Sequence, residues 1–228
     1  RRVLFRSAQI GTIRPVHADA LAPGDKAADR IGRRPTVVGC LVVMALGMLA
    51  TTQVGSISAL DSPADMGFVM DVPLAAQMLP GVNTVLLDRV QDAGNVGSIL
   101  RSASAFGVRQ VLALRGTAAL CSPKVLRAGM GAHFGLHLVE GLEPQDLDGW
   151  DVPLLVTSSH HGVLLHEGRF PKPCAWVFGH EGQGVAPHWE ARAALAVRIA
   201  QPGGEESLNV AAAAAICLHA SATLKAAP

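Results

Sequence analysis

The sequence predicts an α/β fold in which a parallel sheet carries helices on both of its faces. Short apolar runs alternate with helical patterns from residue 61 onwards. These runs are continuously apolar, which is typical of strands buried on both faces. Half of the 228 residues are hydrophobic and the mean hydropathy is positive, so a disordered chain is excluded. The length suits one large domain or two small ones.

The elements follow in chain order. The predicted strands are short apolar runs bounded by polar or turn residues, at 84–90, 109–114, 136–140, 153–159, 174–179 and 194–200. Helical periodicity predicts helices at 95–108, 122–134 and about 207–225. Ligands of open α/β sheets bind at the carboxyl ends of the strands. The candidate loops are therefore those that follow Val90, Thr157, Gly179 and Ala200.

Charge is nearly balanced overall but unevenly placed. The net charge is +1, with 8 Lys/Arg against 3 Asp/Glu in residues 1–60 and 11 against 15 in residues 61–228. A basic footprint for nucleic acid is absent from the larger part of the chain. Any contact with RNA must therefore come from a local patch.

Cysteine and histidine spacing argues against a metal site. Cys40, Cys121, Cys174 and Cys217 lie far apart without a CxxC pair, so buried free thiols are expected. The His160-His161 pair has no HxxxH or HxxE spacing around it. We therefore expect no metal.

The N-terminal segment differs from the remainder. Residues 35–60 carry no charge, and the apolar core of this stretch, 37–50, is short for a membrane span. The preceding DRIGRRP resembles the loop of major facilitator transporters in which D-R-x-G-R-R precedes an apolar helix. The chain opens with RRVLFRSAQIG, without a start methionine or signal-peptide layout. Two interpretations of residues 1–56 stay open: a truncated or foreign piece, or a small domain with an ordinary buried helix.

The first candidate for chemistry is DRVQDAGNVGSILRSASAFGV, residues 88–108. Asn95 precedes an apolar-periodic helix and is predicted to cap it, and Gly97 permits close backbone approach. Arg101 offers a fixed cation to a phosphate or a developing oxyanion. A surface ion pair is the alternative role for this arginine.

The second candidate is WVFGHEGQGV, residues 176–185, in which an apolar strand breaks into Gly179, Gly182 and Gly184 around Glu181. Such a glycine density lets backbone groups face a ligand directly. It matches neither GxxxxGK[ST] nor GxGxxG, so a phosphate loop is excluded. A plain tight turn, with Glu181 as an ordinary helix-capping or solvated acid, is the alternative.

The third candidate is IAQPGGEESLNVAAAAAICLHA, residues 199–220. Pro202-Gly203-Gly204 predicts a turn, Ser207 is predicted to cap the last helix, and Asn209 falls in its first turn. The alanines at 211–215 suggest close packing on all sides of that helix, although helix propensity alone explains them equally well.

Together the three blocks resemble the signature motifs of the SpoU (TrmH-type) RNA 2′-O-ribose methyltransferases of the SPOUT superfamily, over roughly residues 58–224. The matching residues are Asn95, Gly97 and Arg101, then Val177, Phe178, Gly179, Glu181, Gly182 and Gly184, then Glu206, Ser207, Leu208, Asn209 and Val210. The sequence departs from the family at His180, often Asn there, and at Ala200, often Pro. Only the last strand of the family's small N-terminal RNA-binding domain is expected, at 57–73.

The resemblance implies a C-terminal deep trefoil knot, S-adenosylmethionine as cofactor, an RNA substrate, either tRNA or rRNA, a homodimer, and a cytoplasmic enzyme. The implied domains are an atypical segment at 1–56, a remnant and linker at 57–75, and a methyltransferase domain at 76–228. A membrane location is not expected. The cofactor is assigned to residues in the loops and their flanks: Thr157, Gly179, Gly184, Ile199 and Leu208.

The resemblance also implies catalytic roles. Arg101 activates the ribose 2′-hydroxyl, Asn95 and Glu181 orient the ribose and the loops, and Ser207 and Asn209 fix the third loop and the substrate. Two other classes stay as alternatives: a non-catalytic RNA-binding protein that keeps the fold, and a transporter fragment that rests on residues 29–50 alone. A Rossmann dehydrogenase is disfavoured because its fingerprint is missing.

Overall fold

The computed structural model describes residues 2–6, 67–71, 74–75, 77–158, 161–203 and 208–224, the first two ranges by their backbone. The chain divides into two units, Arg1–Val72 and Pro73–Pro228. The apolar stretch at 37–50 and Ser207 both lie outside the described residues, and so do Cys40 and His160. The transporter alternative and the catalytic role assigned to Ser207 therefore stay predictions.

The described part of the first unit is a two-stranded antiparallel sheet. Strand β1 spans Arg2–Arg6 and strand β2 spans Gly67–Asp71. Arg2 pairs with Asp71 and Arg6 with Gly67. Strand β2 falls inside the range 57–73, where sequence analysis expected a strand, whereas its partner at the start of the chain was not foreseen.

The second unit is built on a seven-stranded sheet in which every pairing is parallel. Its strands are β3 (Thr84–Leu87), β4 (Gln110–Leu114), β5 (His137–Leu142), β6 (Leu154–Thr157), β7 (Val163–Leu164), β8 (Ala175–Phe178) and β9 (Leu195–Arg198). The spatial order is β5-β4-β3-β8-β6-β9-β7. The predicted parallel sheet is confirmed.

Helices cover both faces of this sheet, as predicted. They are α1 (Ala93–Ala105), α2 (Pro123–Gly129), α3 (Pro187–Arg192) and α4 (Val210–Thr223). One apolar cluster joins Val85 and Leu87 to side chains of α1, α2 and α4. The other joins Leu86 to Trp189 of α3. Alternate residues of one strand therefore feed two separate cores, which explains the continuously apolar strands.

Both predicted N-caps are wrong. Helix α1 begins two residues before Asn95 because the Asp92 carboxylate caps it, accepting from the Asn95 amide at 2.7 Å. Helix α4 is capped by Asn209, whose Oδ1 accepts from the amides of Ala211 and Ala212 at 2.9 and 3.2 Å, and not by Ser207. The side chain of Asn95 and the NH₂ group of Asn209 are thus placed for other contacts.

The predicted helix at 122–134 is interrupted. It ends at Gly129, after which Met130 and Gly131 both adopt positive φ, of 48° and 86°, before a 3₁₀ turn at Ala132–Gly135. Strand β7 and helix α3 were not predicted. Pro187 at the first position of α3 was the available signal for that helix.

The close backbone approach predicted at Gly97 is an approach to helix α2. A Cβ on Gly97 would lie 2.4 Å from Cβ of Ala128 and 2.7 Å from the carbonyl oxygen of Val125. Only glycine fits there without moving a helix. The glycine of the first motif therefore fixes the crossing of α1 and α2.

The described residues bear on the cysteines, on metal ligands and on membrane spans. Cys121, Cys174 and Cys217 are buried free thiols, and burial raises the pKa of Cys121 to about 11 and that of Cys217 to about 12. No metal-binding group of side chains occurs in the described ranges. None of the helices within those ranges is long and apolar enough to cross a membrane.

Candidate functional site

A cleft of about 850 Å³ lies at the carboxyl ends of the neighbouring strands β8, β6 and β9. Its lining includes all five residues that were assigned to the cofactor, Thr157, Gly179, Gly184, Ile199 and Leu208, together with Glu181 and Asn209. The position agrees with the general rule for ligands of parallel sheets. Residues from the second and third motifs are thus brought together in one cleft.

The glycine loop after β8 is a tight turn that two glycines make possible. A Cβ on Gly179 would lie 2.2 Å from the carbonyl carbon of Gly184, and Gly184 itself adopts a φ of +69°. The Gly184 amide donates to the carbonyl oxygen of His180 at 2.8 Å. The loop closes on itself, so these glycines are required by backbone packing before any ligand is considered.

His180 supports the same loop with its side chain. Its Nδ1 accepts from the amides of Gly182 and Gln183 at 3.0 and 3.3 Å. The departure from the family's usual asparagine therefore keeps an acceptor at this place.

Glu181 joins the glycine loop to the loop that follows β3. Its Oε1 accepts from the Asp92 amide at 3.0 Å and from Nδ2 of Asn95 at 3.2 Å, and its Oε2 accepts from the Gln91 amide at 3.2 Å. A carboxylate thus meets several hydrogen-bond donors near the start of α1. The alternative of a merely solvated Glu181 is wrong.

Asn95 extends this network to the third motif. Its Oδ1 accepts from Nδ2 of Asn209 at 3.0 Å. Because an ionised Glu181 can only accept, Asn95 must turn its NH₂ group to Glu181 and its oxygen to Asn209. The same logic turns the NH₂ group of Asn209 towards Asn95, since its oxygen caps α4. One chain of hydrogen bonds therefore connects all three motifs.

Hydrogen bonding changes the acidity of Glu181. Partial burial acts to raise the pKa of Glu181, but the amides of Asp92 and Gln91, its own amide and the Asn95 side chain all favour the charged form and lower that pKa overall. Glu181 is therefore a carboxylate that its hydrogen bonds hold in place, and it is a weak proton acceptor.

A second bridge between the same two loops was missed by sequence analysis. Asp88 is 1% exposed; its carboxylate accepts from the Arg89 guanidinium at 2.9 and 3.1 Å and from the Ala186 amide at 2.8 Å. The hydrogen bond to Asp88 raises the pKa of Arg89 further. Arg89 also donates to Oε1 of Gln183 at 3.1 Å. An acid at the end of a buried strand was the available signal.

Arg101 lies apart from this network. It is exposed on α1, does not line the cleft, and makes no hydrogen bond or ion pair with any side chain that the structure describes. The surface ion pair considered as its alternative role is therefore absent among these residues. Its cation is available to a molecule outside the chain.

Six further polar residues line the cleft and were not assigned to it from the sequence: Ser158, His161, His180, Gln183, Glu190 and Gln201. Ser158 and His161 are hydrogen-bonded, with Oγ and Nδ1 at 3.0 Å. They follow Thr157, in a loop that was selected, but the histidine pair was weighed only as a metal ligand. The Gln201 Oε1 atom is buried without a hydrogen-bond partner among the described residues.

Comparison with known families decides the assignment. The model of the SpoU rRNA methylase family matches residues 83–219, from strand β3 into helix α4. This chain belongs to the SpoU rRNA methylase family. The matched segment contains the glycine loop, both asparagines and Glu181, so the network lies wholly within the SpoU domain.

Curated relatives of this SpoU chain are 30% to 34% identical to it over the aligned residues. It is 30% identical over 175 residues to the 23S rRNA (guanosine(2553)-2′-O)-methyltransferase RlmP of Bacillus subtilis, covering 75% of this chain and 70% of that protein. It is 34% identical over 141 residues to the 23S rRNA (guanosine-2′-O-)-methyltransferase RlmB of Bordetella pertussis, covering 60% of this chain and 58% of that protein. The chain thus spans between half and three quarters of each relative.

Solved structures of the SpoU type share the fold. A TrmH-family RNA methyltransferase structure from Porphyromonas gingivalis, titled as putative, matches with a TM-score of 0.67 and 34% identity, covering 73% of this chain and 69% of that one. The SpoU methyltransferase AviRb of Streptomyces viridochromogenes, solved in complex with AdoMet, matches with a TM-score of 0.64 and 27% identity, covering 72% and 69%. The resemblance read from the three motifs is confirmed.

Proposed function

We propose that this SpoU protein transfers a methyl group from S-adenosylmethionine to a ribose 2′-hydroxyl of ribosomal RNA. The observation that carries the proposal is the hydrogen-bonded chain Glu181–Asn95–Asn209, which holds three motif loops together beside the cleft. The Bacillus and Bordetella relatives, both named as 23S rRNA 2′-O-methyltransferases, favour rRNA over tRNA.

The cleft fits the cofactor in size and in chemistry. A volume of about 850 Å³ is in the usual range for a drug-sized ligand. Leu208, 40% exposed at its wall, offers apolar surface to a purine ring. The partnerless Oε1 of Gln201 offers an acceptor to an amino or hydroxyl group. Backbone groups of Gly179 and Ile199 complete the contacts we assign, with Thr157 and Gly184 beside them.

When bound, the cofactor supplies a methyl carbon that its sulfonium group activates for displacement. The chain must then align the acceptor hydroxyl and favour loss of its proton. Asn95 and Asn209 each donate one N–H within the network and have a second N–H to donate to a substrate oxygen. We assign them to orient the ribose.

Glu181 acts in this proposal as a brace between loops. Its lowered pKa makes it a poor base, and its two oxygens already accept from three neighbours. Removing a proton from the ribose falls outside that role. Its contribution is to keep Asn95 in place.

Arg101 supplies positive charge to the reacting hydroxyl and the neighbouring phosphate. Because a guanidinium is always protonated, its effect is electrostatic. Its exposure and lack of an ion-pair partner among the described side chains support this role. Ser207, the fifth residue assigned to catalysis, stays assigned to the third loop.

The test is methyl transfer from labelled S-adenosylmethionine to unmodified rRNA transcripts, followed by mass spectrometry of the nucleosides. The wild-type protein is expected to form 2′-O-methylated nucleosides. Arg101→Ala is expected to abolish transfer and Arg101→Lys to retain part of it, while calorimetry finds cofactor affinity unchanged in both. RNA binding without methyl transfer by the wild type would overturn the proposal in favour of a non-catalytic binding protein.

Three further expectations of the family stay with this proposal: a trefoil knot through which α4 passes, a homodimer, and a cytoplasmic location. Within the chain, α4 is not packed on all sides, because Ala212, Ile216 and His219 are exposed on it. A second copy of the chain has this exposed face to pack against, which supports the homodimer. The predicted packing on all sides of α4 is thus wrong within one chain, and its exposed face is consistent with the proposed homodimer.

A further inference from the structure

One long segment of the domain has no negatively charged side chain. Residues 93–139 contain no Asp or Glu and five Lys/Arg: Arg101, Arg109, Arg115, Lys124 and Arg127. The remainder of residues 61–228 has six Lys/Arg against fifteen Asp/Glu, a net charge of −9. A local basic patch, which sequence analysis required of any RNA-binding protein of this composition, is present here.

Three of the five cations lie on one layer, formed by α1 and α2. Gly97 of α1 meets Ala128 of α2, since a Cβ on Gly97 would lie 2.4 Å from that side chain. Further along α1, Ser104 meets the 3₁₀ turn, since a Cβ on Gly135 would lie 3.4 Å from its Oγ. Arg101 is four residues from Gly97 and three from Ser104, which places it on the same side of the helix as both contacts.

Lys124 and Arg127 belong to helix α2, which crosses α1 at this point. Residues three apart on a helix are neighbours, so the two cations are adjacent, and both are exposed. Neither forms an ion pair with a described residue. Met130, 49% exposed, lies three residues beyond Arg127 and adds one apolar side chain next to the two cations.

The remaining two cations behave differently. Arg115 pairs with Glu143 at 2.9 Å. Arg109 is exposed just before β4, at the amino ends of the strands and away from the cleft. It serves as a matched control, because it carries the same charge in the same acid-free segment.

We propose that the face formed by Arg101, Lys124 and Arg127, here the α1–α2 face, binds the phosphate backbone of the substrate RNA. Lys and Arg that neutralise phosphates release counterions, which makes such binding strong at low salt and independent of sequence. The face carries Arg101, so an RNA held there is delivered to the residue assigned to activate its hydroxyl. The inference rests on the proposed function for that last step alone.

The experiment measures binding of a fluorescein-labelled RNA stem-loop of mixed sequence by anisotropy, over a series of salt concentrations, with the full chain. Lys124→Gln/Arg127→Gln is expected to lower RNA affinity at least tenfold at low salt. The slope of log affinity against log salt should become shallower by about 1.4 to 1.8, since each lost phosphate contact removes about 0.7 on a single strand and about 0.9 on a duplex. Arg109→Gln should match the wild type in both quantities.

Each remaining outcome decides the proposal. Equal loss from Arg109→Gln and from the double variant would overturn it, because net charge alone would then explain binding. Unchanged RNA affinity in the double variant would overturn it too. If the double variant binds an acidic peptide more weakly but RNA normally, the face is a protein surface and the proposal fails.

Failure of this inference is distinguishable from failure of the proposed function. Cofactor affinity, measured by calorimetry, should be the same in the double variant as in the wild type and shows that the fold is intact. Methyl transfer by the double variant should show a raised KM for RNA with an unchanged kcat. An inactive wild type that still binds RNA through Lys124 and Arg127 would remove the proposed function and leave the α1–α2 face standing.

Discussion

Nδ2 of Asn209 donates to Oδ1 of Asn95 across 3.0 Å, joining residues 114 positions apart in the chain. Asn95 passes the connection on to Glu181 through its own NH₂ group. The start of the last helix, the first turn of α1 and the glycine loop thus depend on one set of side chains. A change in any of the three should therefore be felt at the other two.

Asn209 combines two tasks that can be separated by substitution. Asn209→Ala should lose both the helix cap, at a cost of about 1 kcal/mol in the free energy of unfolding, and the bond to Asn95. Asn209→Ser should restore the cap but is too short for Asn95. We expect near wild-type stability for the serine variant by urea unfolding, with strongly reduced methyl transfer. A fully active serine variant would show that Asn209 is a cap and nothing more.

Glu181→Gln should weaken the hydrogen bonds that connect two loops, and the resulting loss of stability should depend on pH. Glutamine accepts at one oxygen only and turns an NH₂ group towards a backbone amide. The pKa of Glu181 is lowered from 4.5 in the folded state, so its contribution is complete above that value and is lost as pH falls through the lowered pKa.

The measurement is urea unfolding of wild type and Glu181→Gln over a pH series. The wild type should be the more stable at neutral pH, and the difference should shrink as the solution becomes acidic. A difference that stays constant into the acid range would contradict the role given to the Glu181 charge.

Two glycines of one loop should respond differently to alanine. In Gly179→Ala the new Cβ would lie 2.2 Å from the Gly184 carbonyl carbon, so the loop must open and cofactor affinity should fall at least tenfold. In Gly182→Ala the nearest atoms lie 3.8 Å away, on His180, so affinity should change little. Calorimetry on both variants checks this. Equal effects would mean that glycine density, and not the Gly179–Gly184 contact, shapes the loop.

The exposed face of α4 should govern association of the chain. Ile216 is 42% exposed on a helix whose other exposed residues include Ala212. Ile216→Asp should convert the proposed homodimer to a monomer in light scattering, because a charge would be buried in the interface. Ala191→Asp, exposed on α3 at the other face of the sheet, is the control and should stay dimeric. A monomeric wild type would remove the proposed pairing.

Some of this molecule could be predicted because its signals are local. Residues 84–87 and 175–178 are apolar runs that belong to a buried strand whatever they pair with, and both were found. The glycine loop was recognisable because a backbone path of this kind needs residues without a Cβ. The helix caps could not be recognised in this way. Asp92, Asn95, Ser207 and Asn209 are all good capping residues, and only the position of each helix end selects among them.

The sequence by itself determined the class of fold, the strands, the loops that carry the site, and a resemblance to the SpoU methyltransferases. Those properties depend on periodicity and on ordered motifs, which are written along the chain. Only the tertiary structure decided that Glu181, Asn95 and Asn209 bond to one another, that Asp88 ties the same loops together, and that Gly97 of α1 meets Ala128 of α2. Each of these depends on which strands lie side by side and where helices cross, and segments distant in sequence carry no local record of meeting.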